Sequence, residues 1–491
     1  MEIPANIRAK IENLQSGFDE LKNLSVQSRV HLVKRLRLSI VANQEHIASA
    51  IVEDTGKPIS EALAQEVTAA LGMLKFFEKT YPHWLKDRRF RYLRPGFWAK
   101  ANTVKLEPLG VITVIGPANF PFSLPVMQSV SAFLCGNTVA LKPSEKCSRT
   151  NRMLNKIFTE AEIPEKYFSI FEGDGDSAEL LISSTIVKKV IFTGSYLTGR
   201  KIAELAGRHF KPVILELGNS GGAIVCGDAN FKMASKGITW SAFYSNSLSC
   251  VGTRRLFVEK SAAERFVGLL KTEIENMKIG SPADFTSDIS RISNTNCSNK
   301  STLSFGDGVE IWEPGSAKSS NDLEAVTQLI ICEYSDLRKQ ACEGNGQELL
   351  VCKVDSIEQA VEGLNKSQYG LSASVWSKNI SRAKRIANQL DVGMVWINDA
   401  SAGMPGFPWG GTKRSGWGRL FAKEAITELT NIKVISSERR RISNPKFWWF
   451  PYNRSKYELV LSVNKINFGK FEFNDAWELV KIIIRYLLYQ K

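Results

Sequence analysis

The chain has 491 residues, of which 43% are hydrophobic and 23% are charged. This composition is ordinary for a soluble globular protein, and the length is sufficient for two or three domains. Because there is no run of 18 apolar residues and no secretory leader, we expect a cytoplasmic protein rather than a membrane-spanning or secreted one. The net charge of +14 fits solubility and phosphate-bearing ligands, and we expect no nucleic-acid partner.

The cysteine and histidine contents limit the chemistry. The eight cysteines contain no Cys-x-x-Cys pair, and the four histidines show no zinc-ligand spacing. We therefore predict free thiols in a reducing compartment and no metal site. With so few histidines, the base of any nucleophilic mechanism is expected to be a carboxylate.

The elements follow a clear order along the chain. Residues 1–90 are predicted to form amphipathic helices, because apolar residues recur at three- and four-residue spacing. Residues 91–107 are basic, aromatic and extended. From residue 109 onward short apolar strands alternate with helices, and a second α/β stretch from about 254 to 399 contains a polar, loop-rich segment at 281–320. This alternation predicts an α/β fold with a doubly wound parallel sheet.

The nucleotide-binding signal is unusual. No Gly-x-Gly-x-x-Gly stands at a strand-to-helix turn, although that motif often marks a dinucleotide site. The run from Gly194 to Gly199 resembles a P-loop but lacks its lysine and its Ser/Thr, which argues against a P-loop NTPase. As a turn that begins a helix, it still suits an anionic phosphate.

Eight segments in register resemble the aldehyde dehydrogenase superfamily of the NAD(P)-dependent, non-acylating type. Their order and spacing follow that family from about residue 20 to about residue 435. They are GPANFPF (116–122), ALKPSE (140–145), IFTGSYLTG (191–199), VILELGN (213–219), SNSLSC (245–250) with Arg255 following, GLSASVWS (370–377), VWIND (395–399) and PWGGTKRSGWGR (408–419).

The resemblance implies a covalent mechanism with three catalytic residues. Cys250 matches the nucleophile, and its attack requires surroundings that favour the thiolate. Glu216 matches the general base that activates water or the thiol itself. A glutamate closing an apolar strand is a poor packing choice, which independently favours a polar role. Asn119 matches the oxyanion donor, together with the backbone N–H of Cys250.

The resemblance also implies a nicotinamide cofactor. Lys142 and Glu145 match residues that hold the adenine-side ribose. A carboxylate near the 2′-hydroxyl repels a 2′-phosphate, so Glu145 favours NAD, while NADP stays open. Glu343 matches a glutamate that binds the nicotinamide ribose. Three further residues match the turn that binds the pyrophosphate, namely Gly194, Ser195 and Gly199.

The family fold implies a division into parts. We expect a Rossmann-like NAD(P)-binding domain from 1–90 and 108–217, and an α/β catalytic domain from 218–425. A small bridging sheet from 91–107 and 426–437 would form a homodimer or homotetramer. Residues 438–491 are a basic and aromatic extension.

The sequence departs from the family near the nucleophile and the nicotinamide. Ser247 and Leu248 replace the usual glycine and glutamine before the cysteine, and Asn219 replaces a glycine. Ala118 stands where the family has tryptophan, and Asn345 where it has an aromatic residue. A non-catalytic relative used for binding or assembly therefore stays an alternative. An acylating, CoA-dependent enzyme is a second, although Glu216 favours hydrolysis.

Aromatic residues predict an apolar aldehyde, aliphatic or aromatic, as the small-molecule substrate. They are Phe120, Phe122, Trp396, Phe407 and Trp409. The extension is compatible with peripheral membrane contact at most. The segments that would make this contact are Arg439–Arg441, FWWFPY (447–452) and a final helix at 477–491. The favoured alternative is packing on the protein's own surface or on a subunit partner.

Overall fold

The computed structural model describes residues 4–91, 100–290, 309–314, 327–336, 348–400, 403–438, 449–469, 477, 480–482 and 484. The chain divides into two compact units. The larger unit contains residues 1–88 and 104–434, and the smaller contains residues 89–103 and 435–491. The described residues form fifteen α-helices and twenty strands, with a π-helical segment at Ala62–Thr68.

The helices are α1 (Ala5–Leu21), α2 (Val26–Ala42), α3 (Gln44–Thr55), α4 (Ile59–Glu61), α5 (Ala69–Trp84), α6 (Ser123–Leu134), α7 (Ser148–Glu160), α8 (Gly175–Ser183), α9 (Tyr196–Arg208), α10 (Phe231–Phe243), α11 (Lys260–Glu275), α12 (Ile357–Asn365), α13 (Ile380–Ala387), α14 (Lys423–Leu429) and α15 (Arg454–Phe468).

The strands are β1 (Arg88–Phe90), β2 (Lys100–Pro108), β3 (Val111–Ile115), β4 (Thr138–Lys142), β5 (Phe168–Ile170), β6 (Val187–Thr193), β7 (Val213–Glu216), β8 (Gly221–Val225), β9 (Thr253–Glu259), β10 (Ile279–Gly280), β11 (Ile289–Ser290), β12 (Glu310–Trp312), β13 (Gln328–Glu333), β14 (Glu348–Val354), β15 (Tyr369–Gly370), β16 (Ser372–Trp376), β17 (Met394–Ile397), β18 (Thr412–Lys413), β19 (Gly416–Trp417) and β20 (Thr430–Glu438).

The first large sheet has the order β19-β7-β6-β3-β4-β5, and every pair in it is parallel except β19 with β7. Strands β3 and β4 are buried throughout. Their near-continuous apolar sequences are typical of parallel strands that are covered on both faces. Because the parallel strands share one direction, the residues after β3, β4, β6 and β7 meet at the same edge of the sheet.

The second large sheet has the order β12-β13-β14-β9-β8-β16-β17, again parallel except for its edge pair β12 and β13. Apolar side chains of α10 and α11, such as Ile238 and Phe266, pack with those of β8 and β9 in one core cluster. A short linker of four residues, 217–220, connects β7 to β8, the neighbour of β9 in the second sheet. The α/β class with largely parallel sheets, predicted from the sequence, is confirmed.

The bridging residues form a three-stranded sheet in the order β1-β2-β20. The smaller unit also contains α15, which follows a turn at residues 449–453. Among the described residues, no helix has both the length and the apolar character needed to cross a bilayer. The four-part division of the chain given above stays a prediction.

Candidate active site

The three predicted catalytic residues line one cavity of about 440 Å³. Asn119 follows β3 and Glu216 ends β7, so both come from the carboxyl edge of the first sheet. Cys250 lies between α10 and β9 and so comes from elements of the second sheet. Gly194 and Ser195, which follow β6, line the same cavity. The fold therefore brings together residues that are 131 positions apart in the sequence.

Cys250 is a partly exposed free thiol on this cavity. Burial raises its pKa to about 12, and the nearby Glu216 carboxylate adds to the rise. The expectation that its surroundings favour the thiolate is therefore wrong. A thiol in such a place needs a base that removes its proton during attack.

Glu216 is a buried carboxyl group that faces the cavity, with only 5% of the residue exposed. Neither of its carboxylate oxygens has a hydrogen-bond partner among the described residues. Burial raises its pKa well above the ordinary value, although the charge of Arg419 acts in the opposite direction. A carboxyl group whose pKa is raised in this way binds a proton more readily than an exposed one, which suits a general base.

Asn119 is oriented by two hydrogen bonds. Its Nδ2 donates to the Leu248 carbonyl oxygen over 2.8 Å, and its Oδ1 accepts from the Phe120 backbone N–H over 3.0 Å. An amide nitrogen carries two hydrogens, so the bond to Leu248 leaves a second donor. Asn119 is thereby fixed at the cavity wall with one N–H available for a negative oxygen.

The segment before Cys250 has an uncommon backbone. Ser245, Asn246 and Ser247 have φ values of 57°, 49° and 62°, in the left-handed region that favours glycine. Interactions with distant residues hold it in place. The Glu61 carboxylate accepts the Ser245 N–H over 2.8 Å, and Asn246 Nδ2 donates to the Gly56 carbonyl over 3.0 Å.

Arg254 supports the same segment from the cavity side. Its guanidinium donates to the Ala242 carbonyl over 2.7 Å and also to the Ser247 carbonyl. Burial lowers its pKa to about 10, a range in which the side chain still carries its charge at neutral pH. Arg254 therefore ties the end of α10 to the left-handed segment and lines the cavity as a cation.

The turn after β6 fits a dinucleotide pyrophosphate. Helix α9 begins after Ser195, whose side chain accepts the Thr198 N–H over 3.2 Å. A Cβ added at Gly194 would lie 2.4 Å from the Phe192 ring, and one at Gly199 would lie 2.4 Å from Leu217. These glycines therefore let the turn and the helix pack closely, while the helix dipole favours an anion at its first turn.

The residues predicted for the adenine-side ribose lie just past β4 and do not line the catalytic cavity. Lys142 is buried, and its ammonium pairs with Glu145 over 2.5 Å. Burial raises the pKa of Glu145, but the hydrogen bond with Lys142 lowers it, and the pKa lies below its usual range. The Glu145 carboxylate therefore carries its charge at neutral pH, and both side chains can meet ribose hydroxyls. Glu343 lies outside the described residues.

A second, largely apolar cavity of about 310 Å³ also reaches Cys250. The π-helical segment and α5 form one wall, and residues 403–409 form another. Of the aromatic residues predicted for the substrate, Phe120, Phe407 and Trp409 line this cavity. The other two do not, because Phe122 is buried in the core of the first sheet and Trp396 packs in a small cluster beside Val251.

Sequence reasoning missed a buried ion pair beneath Asn119. Lys57 and Glu66 pair over 2.7 Å with both side chains fully buried, and Lys57 also lies 3.7 Å from the Phe120 ring centre. Glu66 accepts the backbone N–H groups of Phe122 and Ser123 over 3.0 and 3.1 Å, so it caps α6. No local pattern distinguishes Glu66, because Glu61 and Gln65 stand in the same helical stretch.

Known proteins of similar sequence and structure were compared with the chain. The family model described as "Aldehyde dehydrogenase family" matches residues 3–435. A 4,4'-diapolycopene aldehyde oxidase from a Methylomonas species is 30% identical over 459 residues, covering 93% of this chain and 86% of the relative. A succinate-semialdehyde dehydrogenase (NADP(+)) from Deinococcus radiodurans is 30% identical over 436 residues, covering 88% and 90%. An NAD-dependent aldehyde dehydrogenase structure from Sinorhizobium meliloti superposes with a TM-score of 0.82 at 27% identity, covering 91% and 88%.

Proposed function

Because this chain belongs to the aldehyde dehydrogenase family, we propose that it oxidises an apolar aldehyde to the carboxylic acid with NAD(P)+ through a thioester on Cys250. The supporting observation is the convergence of Asn119, Glu216 and Cys250 on one cavity, with a second, apolar cavity that also reaches Cys250. A nucleophile, a base and an oxyanion donor in one place are the groups that acyl transfer requires.

In the first half-reaction, Cys250 Sγ bonds to the aldehyde carbon as its proton passes to Glu216. The raised pKa of both groups supports this transfer, because a thiol that is poorly ionised must be deprotonated as it attacks. The second N–H of Asn119 stabilises the negative oxygen. A nicotinamide cofactor held by the turn after β6 would supply the hydride acceptor that this carbon needs to become a thioester on Cys250.

Glu216 first releases to solvent the proton that it took from Cys250. In the second half-reaction, it then removes a proton from a water molecule that attacks the thioester carbonyl. The carbon–sulfur bond then breaks, and the acid leaves while Cys250 regains its proton. Asn119 stabilises the oxyanion again. The buried and unpartnered Glu216 supports hydrolysis over transfer to coenzyme A, because water needs a base more than a thiol does.

The cofactor-binding residues are proposed from the turn after β6 and the end of β4. Backbone N–H groups around Gly194 and Ser195 would hold the pyrophosphate, and Lys142 with Glu145 would hold the ribose. The ionised Glu145 supports NAD over NADP by repelling a 2′-phosphate. Glu343 stays a prediction for the nicotinamide ribose.

An apolar substrate is supported by the cavity of the π-helical segment. Met73, Met127, Phe120 and Phe407 are among its lining residues, and such surfaces bind apolar ligands by removing them from water. The relatives alone do not decide the substrate, because their names include both a charged succinate semialdehyde and a diapolycopene aldehyde.

The test is the formation of NADH or NADPH with a panel of aldehydes, using the wild type and Cys250→Ala. We expect wild-type turnover of medium-chain and aromatic aldehydes and none from Cys250→Ala. Turnover limited to short, charged semialdehydes would contradict the apolar substrate, and a requirement for coenzyme A would indicate the acylating reaction. No turnover of any aldehyde with either cofactor would favour a non-catalytic relative.

We also propose a cytoplasmic homodimer or homotetramer. Strand β20 leaves Ile432, Val434 and Ile435 exposed on one strand of the three-stranded sheet. An apolar strand of this kind is a common site of pairing with another chain. Light scattering should give twice or four times the mass of 54.8 kDa, and a monomer at micromolar concentration would contradict the proposal.

A further inference from the structure

The smaller unit, residues 89–103 and 435–491, differs strongly in composition from the rest of the chain. It contains 15 of the lysines and arginines but only 5 of the aspartates and glutamates, and so carries +10 of the net +14. It also contains 16 of the 48 Phe, Trp and Tyr residues. Positive charge and aromatic side chains are thus concentrated together, and most of both lie in residues 436–491, beyond the match to the family at residues 3–435.

The turn before α15 presents aromatic side chains to solvent. Phe450 is 79% exposed and Tyr452 is 69% exposed, with Trp449 beside them. Lys456, in the first turn of α15, donates to the Trp449 and Pro451 carbonyls over 2.5 and 2.7 Å. The exposed aromatic turn is therefore attached to the helix by its own hydrogen bonds.

Helix α15 adds an exposed apolar face. Its buried residues are Lys456 and Leu459, whereas Tyr457, Val460, Leu461 and Phe468 are exposed. The exposed residues recur at three- and four-residue intervals and so share one side of the helix. Phe468 is 68% exposed. We call this helix face and the turn at 449–452 the aromatic face.

We propose that the aromatic face docks on the surface of an anionic lipid bilayer. Aromatic side chains are stable at the level of lipid headgroups, and lysine and arginine are attracted by anionic headgroups. Aliphatic side chains such as Val460 and Leu461 gain from contact with acyl chains. A nucleic acid could bind the cationic and aromatic side chains, but it provides little apolar surface for the aliphatic side chains. A second copy would bring the same positive excess to the contact.

The test is co-sedimentation of the full chain with vesicles of phosphatidylcholine, with and without phosphatidylglycerol. We expect binding to the anionic vesicles that weakens as salt is raised, and little binding to phosphatidylcholine alone. Phe450→Ser/Phe468→Ser should reduce the bound fraction at least about tenfold. The matched control is Phe210→Ser/Phe285→Ser, which removes two phenylalanines that are 98% and 80% exposed on the larger unit.

The proposal is overturned if the wild type stays in the supernatant with anionic vesicles, or if both double variants lose binding equally. Tighter binding to a single-stranded oligonucleotide than to the vesicles would also overturn it. So would light scattering that shows Phe450→Ser/Phe468→Ser to break an oligomer. Thermal melting checks that each variant is folded. Because co-sedimentation needs no turnover, the result is independent of the proposed enzymatic function.

Discussion

The proposed chemistry of the site depends on two buried acids whose pKa values are both raised. Glu216 contributes to the raised pKa of Cys250, and both groups are removed from water. If Glu216 is ionised, Cys250 is held as a thiol, and the pair can exchange one proton without a net change of charge. In the proposed mechanism, Cys250 stays protonated until a substrate arrives, and Glu216 acts as the base in both half-reactions.

Glu216→Gln should change thiol reactivity and turnover in opposite directions. Removal of the carboxylate lowers the pKa of Cys250, so iodoacetamide should modify Cys250 several times faster at pH 8. Aldehyde oxidation should fall by about 100-fold or more, because the base is lost. Mass spectrometry of the Cys250 peptide measures the first effect. Slower alkylation in the variant would show that proton removal by Glu216, rather than its effect on the pKa of Cys250, controls the attack of the thiol.

Arg254 is predicted to position the segment before Cys250. Arg254→Met removes charged hydrogen bonds to the Ala242 and Ser247 carbonyls, each of which contributes about 1.5–3 kcal/mol. We expect a lower unfolding free energy and a fall in kcat that added guanidinium partly restores. Arg385→Met, on the exposed side of α13, is the control. Loss of activity in Arg254→Met without any rescue would point to a structural role alone.

At the scale of elements, β19 is important because it pairs with β7, the strand that carries the proposed base Glu216. Gly416 lies opposite Glu216 in the antiparallel pair of β19 and β7, with a φ of 108°. An added Cβ would lie 1.9 Å from the Leu215 carbonyl oxygen. Gly416→Ala should therefore separate the two strands and lower both stability and turnover, the stability by about 3 kcal/mol or more.

Gly268→Ala is the matched control for that substitution. Gly268 lies in the middle of α11, where an added Cβ meets nothing within 4 Å. Alanine should therefore stabilise the helix by up to about 1 kcal/mol. Thermal melting and NADH formation measure both variants. Unchanged stability and turnover in Gly416→Ala would mean that β19 is not needed to hold Glu216.

The Lys57–Glu66 pair connects the π-helical segment to α6 and to the Asn119 loop. Lys57→Met leaves the buried Glu66 charge without a partner, which should cost about 3–5 kcal/mol of unfolding free energy. Lys57→Met/Glu66→Gln removes that charge and keeps an acceptor for the cap of α6. The double variant should therefore be more stable than Lys57→Met alone in urea unfolding. Equal unfolding free energies of Lys57→Met and Lys57→Met/Glu66→Gln would show that the charge of Glu66 is solvated.

At the scale of the whole molecule, the sheets were predictable from strands such as β3, in which most residues are apolar. Val111–Ile115 is buried at every position, so its composition alone indicates a covered parallel strand. Glu216 stands out as a charged residue at the end of such a strand. The hydrogen bond that Glu61 accepts from the Ser245 N–H could not be predicted, because the two residues are 184 positions apart in the sequence. The raised pKa of Cys250 depends on the same long-range packing, which no local pattern records.

Burial of Glu216 should also make global stability depend on pH. Its pKa is raised in the folded chain above the unfolded value near 4.5, so the folded state retains the proton longer. The stabilising contribution is then complete below about pH 4.5 and is lost as the pH rises through the folded pKa, with a slope of at most about 1.4 kcal/mol per pH unit.

The variant Glu216→Gln has no carboxyl group at this position and so does not titrate there. Urea unfolding should therefore show the variant gaining stability relative to the wild type from pH 5 upward. Glu179→Gln, on the exposed side of α8, controls for the substitution itself. A difference between Glu216→Gln and the wild type that stays constant from pH 5 to pH 9 would show that Glu216 is already ionised in the folded protein at pH 5.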